Sequence, residues 1–205
     1  EMIWLLNAGA LAGREEEALE LVSQERRARA LACRPEEARL GILAGGLLLR
    51  HVLGVRDESL LPRNEWGKPS LPEGPCFSLS HAGWYAALAV EAERVGVDIE
   101  PLDRPFRRLS RQLFLPREHE WLAEAPDAAR FYTLWTRLEA YTKADGRGLL
   151  LADREQCLLD TEGPCFLRTF VCDGHMISCA RQRSFEPEFR TVPLEEVLQD
   201  LKNGI

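Results

Sequence analysis

The sequence predicts an α+β fold made of two similar halves, residues 1–103 and 104–205, each with helices followed by a small antiparallel sheet. Two observations predict it. Helix-like periodicity is followed by a run of strand-like segments instead of alternating with them, and that order occurs twice. No residue-level repeat accompanies the second pass, so the two-half organisation rests on element order.

In chain order, Met2 to Asn7 is a short apolar strand. Glu15 to Ala32 reads as one helix with acidic residues in its first turn and arginines in its last, which suits the helix dipole. Pro35, at a first-turn position, opens a second helix that runs to Val52 and stops at Gly54, with Gly45-Gly46 permitting close packing. Leu61 to Pro75 holds four prolines and two glycines and reads as an ordered loop around Trp66. Cys76 to Ser80, Trp84 to Val90 and Arg94 to Glu100 are three strands in succession, expected to pair as a meander. Helices return at Phe106 to Phe114, Pro116 to Ala123 and Asp127 to Ala144, the last with Asp127 as its cap. Strands are expected at Glu155 to Leu159, Cys165 to Val171 and Met176 to Ala180, then a terminal helix opened by Pro193.

At 205 residues, 45% hydrophobic and 29% charged, the chain has the composition of an ordinary globular protein. A net charge of −7 argues against broad binding to nucleic acid or an anionic membrane, although Arg26, Arg27, Arg29, Arg34 and Arg39 leave room for a local basic pocket. The longest apolar run, Leu40 to Leu49, is too short to span a bilayer. Six cysteines form no Cys-x-x-Cys pair and follow no secretory apolar segment, so reduced thiols in a cytoplasmic protein are expected.

The chemistry centres on Val97-Asp98-Ile99-Glu100. Side chains alternate along a strand, so Asp98 and Glu100 leave one face while Val95, Val97 and Ile99 leave the other. Two anions on one face repel, and a divalent cation is the usual reason to tolerate them. Hard oxygen ligands suit magnesium, or manganese, better than zinc. Glu139 can supply a third carboxylate, and Lys143, one turn later on the Asp127 to Ala144 helix, a cation for phosphate. On spacing alone Glu139 and Lys143 describe a surface pair worth about 0.2–0.5 kcal/mol. Likewise His81 alone reads as a structural histidine, and Gly67-Lys68-Pro69 alone as a turn.

Together, Gly67-Lys68-Pro69, Phe77 to His81, Gly96 to Glu100, and Trp135 to Lys143 followed by Gly146-Arg147-Gly148-Leu149 resemble the ordered motifs of the 4′-phosphopantetheinyl transferases. The likeness is to the larger, surfactin-synthetase-activating type, a monomer of two halves related by a pseudo-twofold, with the active site at their interface. The resemblance implies transfer of 4′-phosphopantetheine from coenzyme A to a serine of an acyl, polyketide or peptidyl carrier protein, releasing 3′,5′-adenosine bisphosphate. It implies Asp98, Glu100 and Glu139 as magnesium ligands, with Asp98, Glu139 and Lys143 the catalytic set. Lys68, Ser80 and Lys143 would contact the diphosphate, Gly67 to Pro69 would lie beside the adenine, and His81 with Arg39, and Arg27 less directly, would meet the 3′-phosphate. Arg107, Arg108 and Arg111 could meet an acidic carrier electrostatically, or simply form a solvated helix face.

One position departs from the pattern. The family usually has lysine immediately before the motif's glutamate, and here Leu138 stands there, continuing the apolar stripe of Phe131, Leu134, Trp135 and Thr142. The departure keeps open a second reading: a protein that binds coenzyme A or a carrier with weak or lost transfer activity.

Overall fold

The computed structural model describes residues 2–105, 113–147 and 154–204. The helix expected at Phe106 to Phe114, the arginines Arg107, Arg108 and Arg111, and the Gly148-Leu149 end of the last motif lie wholly or mainly outside the described residues.

Strand β1 (Met2–Asn7) is followed by helices α1 (Glu15–Leu21), α2 (Gln24–Ala32) and α3 (Glu36–Leu53). Strands β2 (Cys76–Ala82), β3 (Tyr85–Glu91) and β4 (Val95–Pro101) come next, then helices α4 (Pro116–Glu124) and α5 (Ala128–Asp145). Strands β5 (Phe166–Cys172), β6 (His175–Arg181) and β7 (Phe189–Thr191) and helix α6 (Leu194–Lys202) complete the chain.

The strands form two sheets, one ordered β2-β3-β1-β7 and one ordered β4-β6-β5. The expected meander is therefore corrected. β2 and β3 form a hairpin, but β3 spends its other edge on β1, and β4 crosses to pair antiparallel with β6, Asp98 opposite Ser178. A division at residue 103 thus leaves β4 apart from the sheet that precedes it. Both sheets follow one path: a strand, helices, then a hairpin whose second strand pairs with that first strand. β7 then pairs in parallel with β1, which brings the chain's end back to the first sheet.

Alternation sorts the side chains into layers. Ile3 and Leu5 of β1, Ala87 and Ala89 of β3, Val95, Val97 and Ile99 of β4, and Ile177 and Cys179 of β6 fill one core between the sheets. Leu6 and Leu88 face a second core with α3 and α6, while Leu134, Leu138, Leu167 and Ala180 belong to a third, built around α5.

Two further expectations change, and one strand was not expected. The helix expected from Glu15 to Ala32 breaks after Leu21, because Ser23 caps α2, its Oγ accepting from Arg26 N–H at 3.2 Å. Glu155 to Leu159 is no strand: Gln156 folds it as a loop by accepting from Cys165 N–H at 2.9 Å and donating to the Cys165 carbonyl at 2.7 Å. The three-residue β7, exposed throughout, has no period to read. The α3 limits agree with expectation, Gly54 ending it in the left-handed region at φ 68°.

Candidate active site

β2 and β4 are edge strands of different sheets that lie against each other, Ser78 Oγ accepting from Val97 N–H at 3.0 Å. Gly96, Asp98 and Glu100 leave the face of β4 opposite the shared core, toward α5. A Cβ at Gly96 would fall 1.8 Å from the Ala140 carbonyl oxygen, so only glycine lets the helix lie this close. That approach brings the last turns of α5, with Glu139 and Lys143, onto the carboxylate face.

Three segments meet there. Lys143 Nζ lies 2.6 Å from Asp98 Oδ1 and 3.1 Å from Ser80 Oγ, and Ser80 Oγ donates to Asp98 Oδ1 at 2.8 Å. Asp98 is 4% exposed, yet its Oδ2 has no hydrogen-bond partner among the described residues. Burial pushes the Glu100 carboxyl up to about 7, helped by the charge of Asp98 and opposed by a hydrogen bond from Trp135. Burial and Asp98 also raise Glu139, against the pull of Lys143.

These observations test the expected metal. Among the described residues the oxygens of Asp98, Glu100 and Glu139 are not all within 4.8 Å of one another. Asp98 instead spends Oδ1 on Lys143, and Glu100 bonds Trp135. The donor chemistry nonetheless fits a hard divalent ion: a buried, unsatisfied carboxylate oxygen and two further carboxyls that feel its charge. A different cluster, His51, Glu196 and Asp200, does meet the 4.8 Å distance, but Arg190 already holds Glu196 at 2.7 and 2.9 Å.

Beside this cluster a cleft of about 230 Å³ is lined by Arg26, Arg29, Arg63, His81 and Lys143 among others. Burial, then the charges of Arg26, Arg29 and Lys143, hold His81 down at about 4, so the ring is neutral at pH 7. Gly41 makes room for it: a Cβ there would lie 3.0 Å from His81 Nδ1. Arg26 is buried and committed, Nε reaching Glu58 at 2.6 Å and Nη1 the Ile42 carbonyl at 3.1 Å.

The structure places the other expected residues less uniformly. Arg39 pairs with Glu15 at 2.8 Å, and neither it nor the exposed Arg27 lines this cleft. Arg26 and Arg29 take that place, since residues three apart share a helix face and Arg27 points about 100° away. The signal was there in Ser23 as a cap, which restarts the helical phase at Gln24. Lys68 does not stand at the tip of its turn. Its ammonium is folded inward onto the Lys143 carbonyl and, at 3.2 Å, the Val95 carbonyl, and burial lowers its pKa. Gly67 adopts φ 84°, and Pro69 lines the His81 cleft. Leu138 is 3% exposed and packed in the core around α5. Arg137 leaves α5 another way, donating to Thr169 Oγ1 and the Leu158 carbonyl, both at 2.8 Å.

A model of the 4′-phosphopantetheinyl transferase superfamily matches residues 94–189, which include β4 and α5. Curated relatives extend the likeness. A 4′-phosphopantetheinyl transferase of Bacillus subtilis is 29% identical, over 91% of this chain and 94% of its own. 4′-Phosphopantetheinyl transferase Sfp of Bacillus subtilis strain 168 is 27% identical, over 88% of this chain and 91% of its own. 4′-Phosphopantetheinyl transferase HetI of a Nostoc species is 34% identical over 65% of this chain and 63% of its own. The chain is similar to the 4′-phosphopantetheinyl transferase superfamily.

Proposed function

We propose that this 4′-phosphopantetheinyl transferase moves the phosphopantetheine arm of coenzyme A to a carrier-protein serine in a magnesium-dependent reaction. One observation carries the reading: Ser80, Asp98 and Lys143 converge from β2, β4 and α5, with an unsatisfied oxygen of Asp98 buried at the centre. The attacking serine Oγ forms a bond to the phosphorus that bears pantetheine, and the bond from that phosphorus to the bridging oxygen breaks. 3′,5′-Adenosine bisphosphate leaves with the bridging oxygen.

Asp98, Glu100 and Glu139 would hold magnesium, which supplies charge neutralisation on the diphosphate. Lys143 can move from Asp98 to a phosphate oxygen, and Ser80 can donate to the same group. Glu139 takes the serine proton directly or through water. His81 and Arg29 would meet the 3′-phosphate, an anion that reverses the electrostatic penalty on His81. Arg39 and Arg27 would need to leave their present positions to join them. Gly67 to Pro69 would lie beside the adenine.

The repeated strand–helices–hairpin path supports a pseudo-twofold between halves, with the reaction where edge strands β2 and β4 meet. We place the protein in the cytoplasm as a monomer, its six cysteines reduced. A carrier-binding homologue without transfer activity would have no use for the three carboxylates Asp98, Glu100 and Glu139. Leu138, turned to the core, does not favour that alternative. The deciding assay is release of 3′,5′-adenosine bisphosphate with and without magnesium and carrier. Release that needs both supports the transferase. Binding of coenzyme A without release supports the inactive homologue, and hydrolysis without carrier a phosphatase.

A further inference from the structure

The loop that carries Lys68 is folded by one side chain and fastened to α5 by the same side chain. Asn64 Oδ1 accepts from Trp66 N–H at 3.0 Å and from Lys68 N–H at 2.9 Å. Backbone bonds close the turn, Gly67 N–H to the Asn64 carbonyl at 2.9 Å and Asn64 N–H to the Lys68 carbonyl at 3.0 Å. The other end of the amide, Nδ2, donates to the Gly146 carbonyl at 2.8 Å. Gly146 caps α5 in the left-handed region at φ 85°.

The last carbonyls of a helix have no partner within it. Here the loop supplies two: Asn64 at Gly146, and the Lys68 ammonium at Lys143. Lys143 is thereby held at both ends, its carbonyl by Lys68 and its ammonium by Asp98 and Ser80. Lys68 also bonds the Val95 carbonyl, so the loop ties α5 to the start of β4. A side chain on a helix end aims no better than the turn that carries it.

We propose that Asn64 is a positioning residue for the transfer reaction: through Gly146 and Lys68 it fixes the last turn of α5, and so the aim of Lys143 at the Asp98–Ser80 pair. The inference rests on the transferase reading for its kinetics, and on the hydrogen bonds alone for its structural part. It assigns Lys68 a bond to the protein backbone before any ligand arrives.

Asn64→Asp separates folding of the loop from its fastening. The isosteric carboxylate keeps the acceptor for Trp66 and Lys68 but has no hydrogen to give Gly146. Asn64→Ala, which adds no charge, loses both. The test measures kcat and KM for coenzyme A together with amide hydrogen exchange of α5 and α3, in wild type, both Asn64 variants, Lys68→Ala and the Asn64→Asp/Lys68→Ala double variant. Asn64→Asp should lower kcat about tenfold or more, with KM within about threefold, and quicken exchange at the last turn of α5 while α3 keeps its protection. The double variant should be within about twofold of the slower single one, since both act through one clasp. Wild-type exchange with unchanged kcat in Asn64→Asp overturns the proposal. So does exchange that quickens in α3 as much as in α5, which would make Asn64 a general stabiliser. Exchange is read without substrate, so a wild-type protein inactive in transfer would overturn the transferase reading and leave the clasp to be judged separately.

Discussion

Asp98 faces two demands with one carboxylate. Its Oδ1 is shared by Lys143 and Ser80, while Oδ2 is buried without a partner among the described residues. Asp98→Ala should therefore keep the fold, because Lys143 can turn to solvent, and lose about 10²–10³ in transfer rate with its magnesium response. Magnesium titration of both proteins checks this, and an unchanged response removes the metal from these residues. His81 makes a second prediction. With burial and three cations holding it at about 4, a 3′-phosphate in the same cleft should raise its pKa, since the anion favours the imidazolium. An NMR titration of the His81 ring with and without 3′,5′-adenosine bisphosphate reads the shift directly. Wild type should also prefer coenzyme A over its 3′-dephospho form by about tenfold, and His81→Ala should narrow that gap. Equal discrimination in both proteins would make His81 purely structural.

At the scale of elements, the packing of α5 on β4 decides the site. Gly96→Ala would place a Cβ against the Ala140 carbonyl and 2.5 Å from the Ala144 nitrogen, both backbone atoms that cannot turn aside. The helix must retreat, so thermal stability should fall by about 1–3 kcal/mol or more and transfer with it. A Gly96→Ala protein as stable and active as wild type would show that α5 need not lie so close. Leu138→Lys tests the same helix from its other face. The leucine is packed with Phe131 and Leu134, so the variant should lose about 2–5 kcal/mol, measured by urea unfolding, without a gain in rate. A faster variant of native stability would mean that the position opens on the phosphates.

For the whole molecule, buried ion pairs set the response to acid. Burial raises Glu58 and Glu118, but Arg26 bonded to the first, and Arg154 with two backbone N–H groups bonded to the second, more than offset it, leaving both below the usual range. A carboxyl lowered on folding contributes stability present above its unfolded pKa of about 4.3 and lost as pH falls through the folded value. His81, depressed from 6.5 to about 4, acts in the same sense over that higher window, while Glu100, raised to about 7, acts in the opposite one. Differences between proteins isolate the terms. Glu118→Gln should cost about 3–5 kcal/mol at pH 7 and progressively less below pH 4, because the wild type loses the same pair there. Urea midpoints from pH 3 to 8 check it, and a pH-independent difference would show that the pair is not charged in the fold.

Much of this protein was decided by local chemistry and could be read from the chain alone. Pro35 and Gly54 bracket α3, Asp127 caps α5, and strand alternation puts Asp98 and Glu100 on one face, since each depends on neighbours within a few residues. Ser80, Asp98 and Lys143 were nameable because the motifs that carry the family resemblance are short contiguous stretches of the chain. What pairs with what was not. Proximity in sequence made β2, β3 and β4 a meander, yet β3 gains more by closing on β1, and β4 by joining β6, because both arrangements bury Val97 and Ile99 against Ile3 and Leu5. A three-residue β7 exists only because β1 offers it an edge. That Arg26 and Arg29, and not Arg27 or Arg39, line the His81 cleft depended on helical phase after the break at Ser23 and on Glu15 pairing with Arg39. The inward turn of Lys68 required α5 to end beside its loop. Those are contacts between residues tens of positions apart, and no local preference encodes them. Only the packed chain does.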